Sequence, residues 1–161
     1  MIAWRFARFD DLAPRDVHDL FRARAAAFVV EQGCVFQDVD GADPECWHLL
    51  GRSAGELFAY CRLVPPGIKF AEPSIGRVVT TEAARGTGLG RILMREALAR
   101  AEALWPGRPI RIGAQARLER FYEEFGFVTA SAPYDEDGIV HVEMVRPATQ
   151  PAGRGGETVG H

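Results

Sequence analysis

Arg85-Gly86-Thr87-Gly88-Leu89-Gly90 separates two stretches of opposite character. Before it, Ile75 to Thr81 is rich in β-branched residues and reads as a strand. After it, Leu89, Ile92, Leu93, Ala97, Ala101 and Leu104 recur at helical spacing while Arg91, Arg95 and Glu102 fall off that face. This predicts a helix from Gly88 to Leu104, stopped by Pro106 and Gly107. Glycines at a strand-to-helix turn let backbone N–H groups face a ligand at the positive end of the helix, where phosphate oxygens are held. A P-loop needs Lys and then Ser or Thr after its last glycine, and Arg91-Ile92 stands there instead. A dinucleotide fingerprint needs Gly-x-Gly-x-x-Gly after a first strand, whereas this spacing is Gly-x-Gly-x-Gly in mid-chain. Taken alone, the segment also reads as a glycine-rich turn that binds nothing.

Outward from that turn, Ile2 to Phe9 alternates apolar and polar residues as an opening strand, and Pro14 suits the first turn of a helix running to about Val30 before Gly33. Gln32 to Pro44 is loop-like. Cys46 to Leu50 and Leu57 to Val64 form a hairpin pattern around Ser53, Ala54 and Gly55. Downstream, Pro109 to Ala114 reads as a buried strand and Arg117 to Phe125 as a short helix ended by Gly126. Phe127 to Ala130 and Ile139 to Val145 are the last two expected strands, joined across Asp137-Gly138. Pro147 to His161 carries no periodic apolar residue and is expected to be a flexible tail behind a domain of residues 1–146. The order implies an α/β fold with a mixed sheet, since crossover helices impose parallel neighbours and hairpins antiparallel ones.

Composition narrows the function classes. The 161 residues suit one domain, and 47% hydrophobic with 25% charged residues is the balance of a chain that folds in water. The longest apolar run, Ala25 to Val30, is far below the ~18 residues of a membrane span, and Arg5, Arg8 and Asp10 interrupt any signal peptide, so a cytoplasmic location without membrane contact is expected. Nineteen basic against twenty-two acidic residues give no electrostatic reason for a nucleic-acid partner. Cys34, Cys46 and Cys61 are odd in number and lack Cys-x-x-Cys spacing, which points to reduced, buried thiols. Cys46 and His48 flank Trp47 without further ligands, and no metal is expected. Glu31, Asp38, Asp40, Asp43 and Glu45 form an acidic sector free of Lys and Arg, and Asp135, Glu136 and Asp137 add to it. The rest of the chain is net basic.

Arg85, Gly88 and Gly90 fill the Arg/Gln-x-x-Gly-x-Gly/Ala signature of the GNAT superfamily of acetyl-CoA-dependent acetyltransferases, which the chain therefore resembles. Tyr122-Glu123-Glu124-Phe125-Gly126-Phe127 matches that family's Tyr-x-x-x-Gly-Phe segment at the end of the next helix. The likeness runs from about Trp4 to Met144. Within the superfamily, Phe28-Val29-Val30-Glu31-Gln32-x-Cys34, Asp40-Gly41-x-Asp43, His48 and Glu136-Asp137-Gly138-Ile139-x-His141 look like the ElaA-type subgroup. The resemblance implies a mostly antiparallel twisted sheet flanked by helices. It implies that backbone N–H groups of Gly86, Thr87, Gly88, Leu89, Gly90 and Arg91 cradle the CoA pyrophosphate, with Arg85, Arg91 and Arg95 as cationic contacts. The main chain of Val78, Val79 and Thr80 would pair with pantetheine, and Gln115 stands where many relatives place an asparagine.

The chemistry so implied is acetyl transfer from acetyl-CoA to a primary amine by direct attack in a ternary complex, which needs a neutral nitrogen, donors for the developing oxyanion and a proton for the leaving thiolate. Tyr122 matches the family tyrosine that protonates the CoA sulfur. Many relatives carry a glutamate on the strand before the cradle, where this chain has Gly76 and Arg77. The base is therefore sought among Glu31, His48, Glu136, Asp137 and His141, acting directly or through a water. The acidic sector is expected to attract a cationic amine, whether small molecule or peptide. A homodimer is left open. The competing class is a non-catalytic module that senses CoA or acetyl-CoA and regulates a partner, which the missing strand glutamate keeps open.

Overall fold

The structure is a computed structural model that describes residues 1–148. The tail expected over residues 147–161 lies outside the described residues from 149 onward. The first sheet is built in chain order from β1 (Ala3–Arg8), β2 (Trp47–Ser53), β3 (Glu56–Val64) and β4 (Ser74–Thr80), every pair antiparallel. Alternation decides which face of β1 is inward: Phe6 stacks on Trp47 at 5.1 Å. Trp4 lies over Gly51, where an added Cβ would sit 2.6 Å from the indole. The β2–β3 hairpin turns at Ala54 and Gly55, both at positive φ, as a tight two-residue connection demands.

The second sheet holds β5 (Ile110–Gln115), β6 (Val128–Thr129), β7 (Tyr134–Glu136) and β8 (Ile139–Arg146), with β8 pairing each of the others antiparallel. The expected parallel neighbours across the crossover helix are β4 and β5. They lie side by side but form no ladder, and the Arg111 N–H donating to the Pro73 carbonyl at 3.1 Å ties their ends. A register shift between Tyr60 and Arg62, opposite Arg77 at φ +49°, marks a bulge in the β3–β4 pairing. A bulge bends its strand and increases its twist. The sheets therefore part at β4/β5 and leave a cleft.

Helices cover both faces. α2 (Leu89–Leu104) buries Leu89, Leu93, Met94, Ala97 and Ala101 against Leu49, Cys61, Leu63, Ile112, Phe127 and Met144. Ile92, expected on that face, is 46% exposed, and Met94 takes the inward position. On the opposite face α1 (Pro14–Arg24) sets Leu20 against Leu50, Leu57, Tyr60 and Val79. The helix expected to reach Val30 does so with a change of winding, α to Arg24 and π over Ala25–Glu31, and Gly33 turns the chain at φ +59°. The helix expected over 117–125 is shorter, a 3₁₀ turn at Ala116–Leu118 followed by α3 (Glu119–Glu123), with Gly126 at φ +88° behind it. The last expected pairing is corrected as well. Asp137-Gly138, both at positive φ, joins β7 to β8 rather than β6 to β8, because the three residues of β7 add a strand that so short a segment does not announce.

Candidate active site

The glycine bend sits where the sequence places it, between β4 and α2, after a 3₁₀ turn at Glu82–Ala84. Gly86 and Gly88 adopt φ +77° and +80°, and a Cβ on either would meet nothing within 4 Å, so the room beside them is open. Among the described residues, the N–H groups of Gly86, Gly88, Leu89, Gly90 and Arg91 have no hydrogen-bond acceptor. Such orphan donors at the start of a 16-residue helix are suited to an anion, and a diphosphate fits them. Gly88→Ala is expected to lower stability by ~1 kcal/mol through left-handed strain, which urea titration measures. Cationic side chains already have partners here. Arg85 Nη2 donates to Glu31 Oε2 at 2.5 Å, and Arg91 makes a two-bond contact with Glu124 at 2.8 and 3.0 Å.

Between β4 and β5 lies a cavity of about 330 Å³. Tyr122, Gln115, Val78, Glu136, Asp137 and His141 all line it, which brings together residues up to 63 positions apart through β4, β5, α3 and the β7–β8 turn. The Tyr122 ring is held edge-on against Phe121 and Phe127, and its hydroxyl has no hydrogen-bond partner among the described residues. Burial pushes its pKa up to about 12, so the phenol stays protonated. Gln115 is fixed between Gln32, to which its amide donates at 3.2 Å, and Arg117, from which it accepts at 3.0 Å. His141 Nδ1 lies 2.8 Å from the Ile139 carbonyl and so carries the hydrogen. That leaves Nε2 as the basic nitrogen of the neutral ring, 3.5 Å from Glu136 Oε2.

Two sequence expectations are revised. His48 is not in the cavity: it is fully buried, with Nδ1 at 2.7 Å from the Tyr60 hydroxyl and Nε2 at 2.9 Å from the Asp43 carbonyl. Burial lowers its pKa, and it serves as a strut. Of the acidic sector expected to attract an amine, Asp38, Asp40 and Asp43 are taken up in an internal ion network. Arg24 donates to Asp38 Oδ2 at 2.9 Å and to Asp43 Oδ1 at 2.6 Å. Arg62 grips both oxygens of Asp40 at 2.8 and 2.7 Å and reaches Asp43 Oδ1 at 3.1 Å. Arg77 adds contacts to Asp38 and Asp40. Three guanidiniums thus compensate three carboxylates and pin the 32–45 loop as one wall of the cavity, whose other acids are Glu136, beside His141, and Asp137.

Sequence reasoning missed Arg24, Arg62 and Lys69. The arginines carry no local pattern, since their partners are 14 to 22 residues away. Lys69 had a signal, being the sole lysine in the chain. The cysteines are free and buried, as expected. Burial raises the Cys46 thiol to about 11 and Cys61 further, while Cys34 donates to the Asp137 carbonyl at 3.1 Å. Among the described residues no helix is long and apolar enough to cross a membrane.

Known proteins share this fold. Residues 48–147 match the acetyltransferase (GNAT) domain family. The chain is 40% identical to protein ElaA of Escherichia coli over 152 residues, covering 93% of this chain and 99% of that protein. The crystal structure of E. coli ElaA superposes with a TM-score of 0.85 at 39% identity over 91% of this chain and 99% of the other. An acyl-CoA N-acyltransferase from Pseudomonas aeruginosa superposes with a TM-score of 0.87 at 41% identity, over the same shares of the two chains. A glycine bend with free amides, a sheet split beside it and a phenol in the cleft thus occur in a chain that belongs to the GNAT family of N-acetyltransferases and is similar to ElaA.

Proposed function

We propose that this domain transfers the acetyl group of acetyl-CoA to a primary amine, small molecule or peptide, by direct attack in a ternary complex. The observation that carries the reading is the Tyr122 hydroxyl, protonated, without a hydrogen-bond partner among the described residues and in the lining of a cavity bounded by β4, the strand that leads into the glycine bend. The amides of Gly86 to Arg91 would hold the diphosphate, and the edge of β4 at Val78 to Thr80 that carries no ladder would pair with the peptide-like pantetheine arm. Arg85 would exchange Glu31 for phosphate, which makes Glu31 a counter-ion rather than a base.

His141 is assigned as the base. The residue lines the cavity, and with the hydrogen held on Nδ1 by the Ile139 carbonyl, Nε2 is the nitrogen left to take a proton. Glu136 and Asp137 attract the acceptor as an ammonium before it is deprotonated. Tyr122 gives its proton to the departing thiolate. A covalent acyl-cysteine is disfavoured because burial keeps Cys46 and Cys61 protonated and Cys34 is turned to a carbonyl.

A thiol-release assay with acetyl-CoA against polyamines, aminoglycosides and lysine peptides tests this reading. Amine-dependent release of CoA is expected, at a rate lowered more than tenfold by His141→Ala. Binding of acetyl-CoA without release for any amine would move the domain to the class of CoA sensors.

A further inference from the structure

Lys69, the sole lysine in the chain, stands in the segment between β3 and β4. The turn that carries it is closed by the Gly67 N–H donating to the Phe70 carbonyl at 2.7 Å. Its side chain lines the same cavity as Val78, Tyr122, Glu136 and His141. It is exposed to solvent, with protein packed around part of it. The two other cations of that lining, Arg62 and Arg77, are occupied by Asp38, Asp40 and Asp43, whereas Lys69 makes no hydrogen bond or ion pair among the described residues. Partial burial and the like charge of Arg77 lower its pKa, with Glu136 opposing, so its neutral, nucleophilic form is more populated than for a free lysine.

We infer that Lys69 is an internal acyl acceptor: its Nζ takes the acetyl group of acetyl-CoA bound in the cleft, so that the chain acetylates itself at one site. The inference rests on the acetyl-CoA reading given above. The ammonium first loses a proton to His141 or solvent. The Nζ lone pair then attacks the thioester carbonyl carbon, the N–C bond forms, the C–S bond breaks, and the thiolate leaves with the Tyr122 proton. Nζ sheds its second proton, Tyr122 is reprotonated from solvent, and the products are acetyl-lysine, CoA thiol and one released proton. The flexible four-carbon stem gives Nζ freedom to move within a cavity this small, and attachment to the same chain makes the encounter intramolecular. The product is uncharged, which leaves Glu136 and Asp137 without an opposing ammonium and favours entry of a cationic acceptor.

The full chain is incubated with acetyl-CoA, without added amine, and followed by intact mass and peptide mapping, with calorimetry of acetyl-CoA on the same preparation. The expected result is one acetyl addition per chain at Lys69, at a rate independent of protein concentration, slowed at least about tenfold in Tyr122→Phe and absent at this position in Lys69→Arg. A chain that binds acetyl-CoA but leaves Lys69 unmodified overturns the inference and leaves the acetyltransferase reading standing. Equal labelling in wild type and Tyr122→Phe also overturns it, since that is ordinary chemical acylation. Failure to bind acetyl-CoA removes both.

Discussion

Asp43→Ala is expected to lower the unfolding free energy by about 3 kcal/mol, because it removes the buried carboxylate that two guanidiniums share and leaves Arg24 with Asp38 alone and Arg62 with Asp40 alone. Asp43 Oδ1 accepts from Arg24 Nη1 and Arg62 Nη1, and all three side chains are at most 2% exposed. Neither arginine can shed its proton, so the charge stays where water is excluded. Replacing Glu124, whose partner Arg91 is on the surface, is expected to change stability far less, since solvent replaces the lost contact. Urea denaturation of both variants measures the contrast, and a comparable small loss in each would mean that water reaches the network. The network also gives the fold acid sensitivity. Hydrogen bonds from Arg62 hold Asp40 well below the usual carboxylate range, with burial opposing. Its contribution is present above the unfolded aspartate value of ~4 and is lost as the pH falls below it. The 32–45 loop, one wall of the cavity, is the segment expected to loosen first in acid.

Tyr122→Phe is expected to reduce kcat by about 10²–10⁴-fold while leaving acetyl-CoA affinity within about twofold, the separation expected for a group that acts only as the thiolate leaves. Folding should hardly change, by less than about 1 kcal/mol, because the hydroxyl has no hydrogen-bond partner to lose and the ring keeps its edge contacts with Phe121 and Phe127. The pH dependence follows from the direction of its shift. Burial raises the phenol to about 12, so the proton-bearing form persists through neutral and moderately alkaline solution and Tyr122 sets no alkaline fall in rate below that value. Steady-state kinetics with a fixed amine decides the matter: a kcat within twofold of wild type would assign the leaving-group proton to water.

Much of the fold is legible in local pattern. Period-two alternation places β1, the β2–β3 hairpin and β5, and the spacing of Leu89, Leu93, Ala97 and Ala101 places α2. The glycine bend is legible because positive φ at Gly86 and Gly88 is a requirement on single residues. Ile92 and Met94 exchange roles because a helical stripe is wider than the buried strip and tertiary packing selects within it. β7 is too short to show a period, and its pairing with β8 is settled by the turn at Asp137-Gly138.

By itself, then, the sequence determined most of the elements, their order, and the placing of the glycine bend and of Tyr122 on a short helix, since each depends on residues within a turn or two of one another. Only the tertiary structure decided what surrounds the reacting atoms. It withdrew His48 into the core, tied the acids of the 32–45 loop to Arg24, Arg62 and Arg77, and brought Lys69, Glu136 and His141 to one cavity. Those placements depend on charge compensation and strand separation between segments far apart in the chain, and an excluded-water environment exists only after they have met.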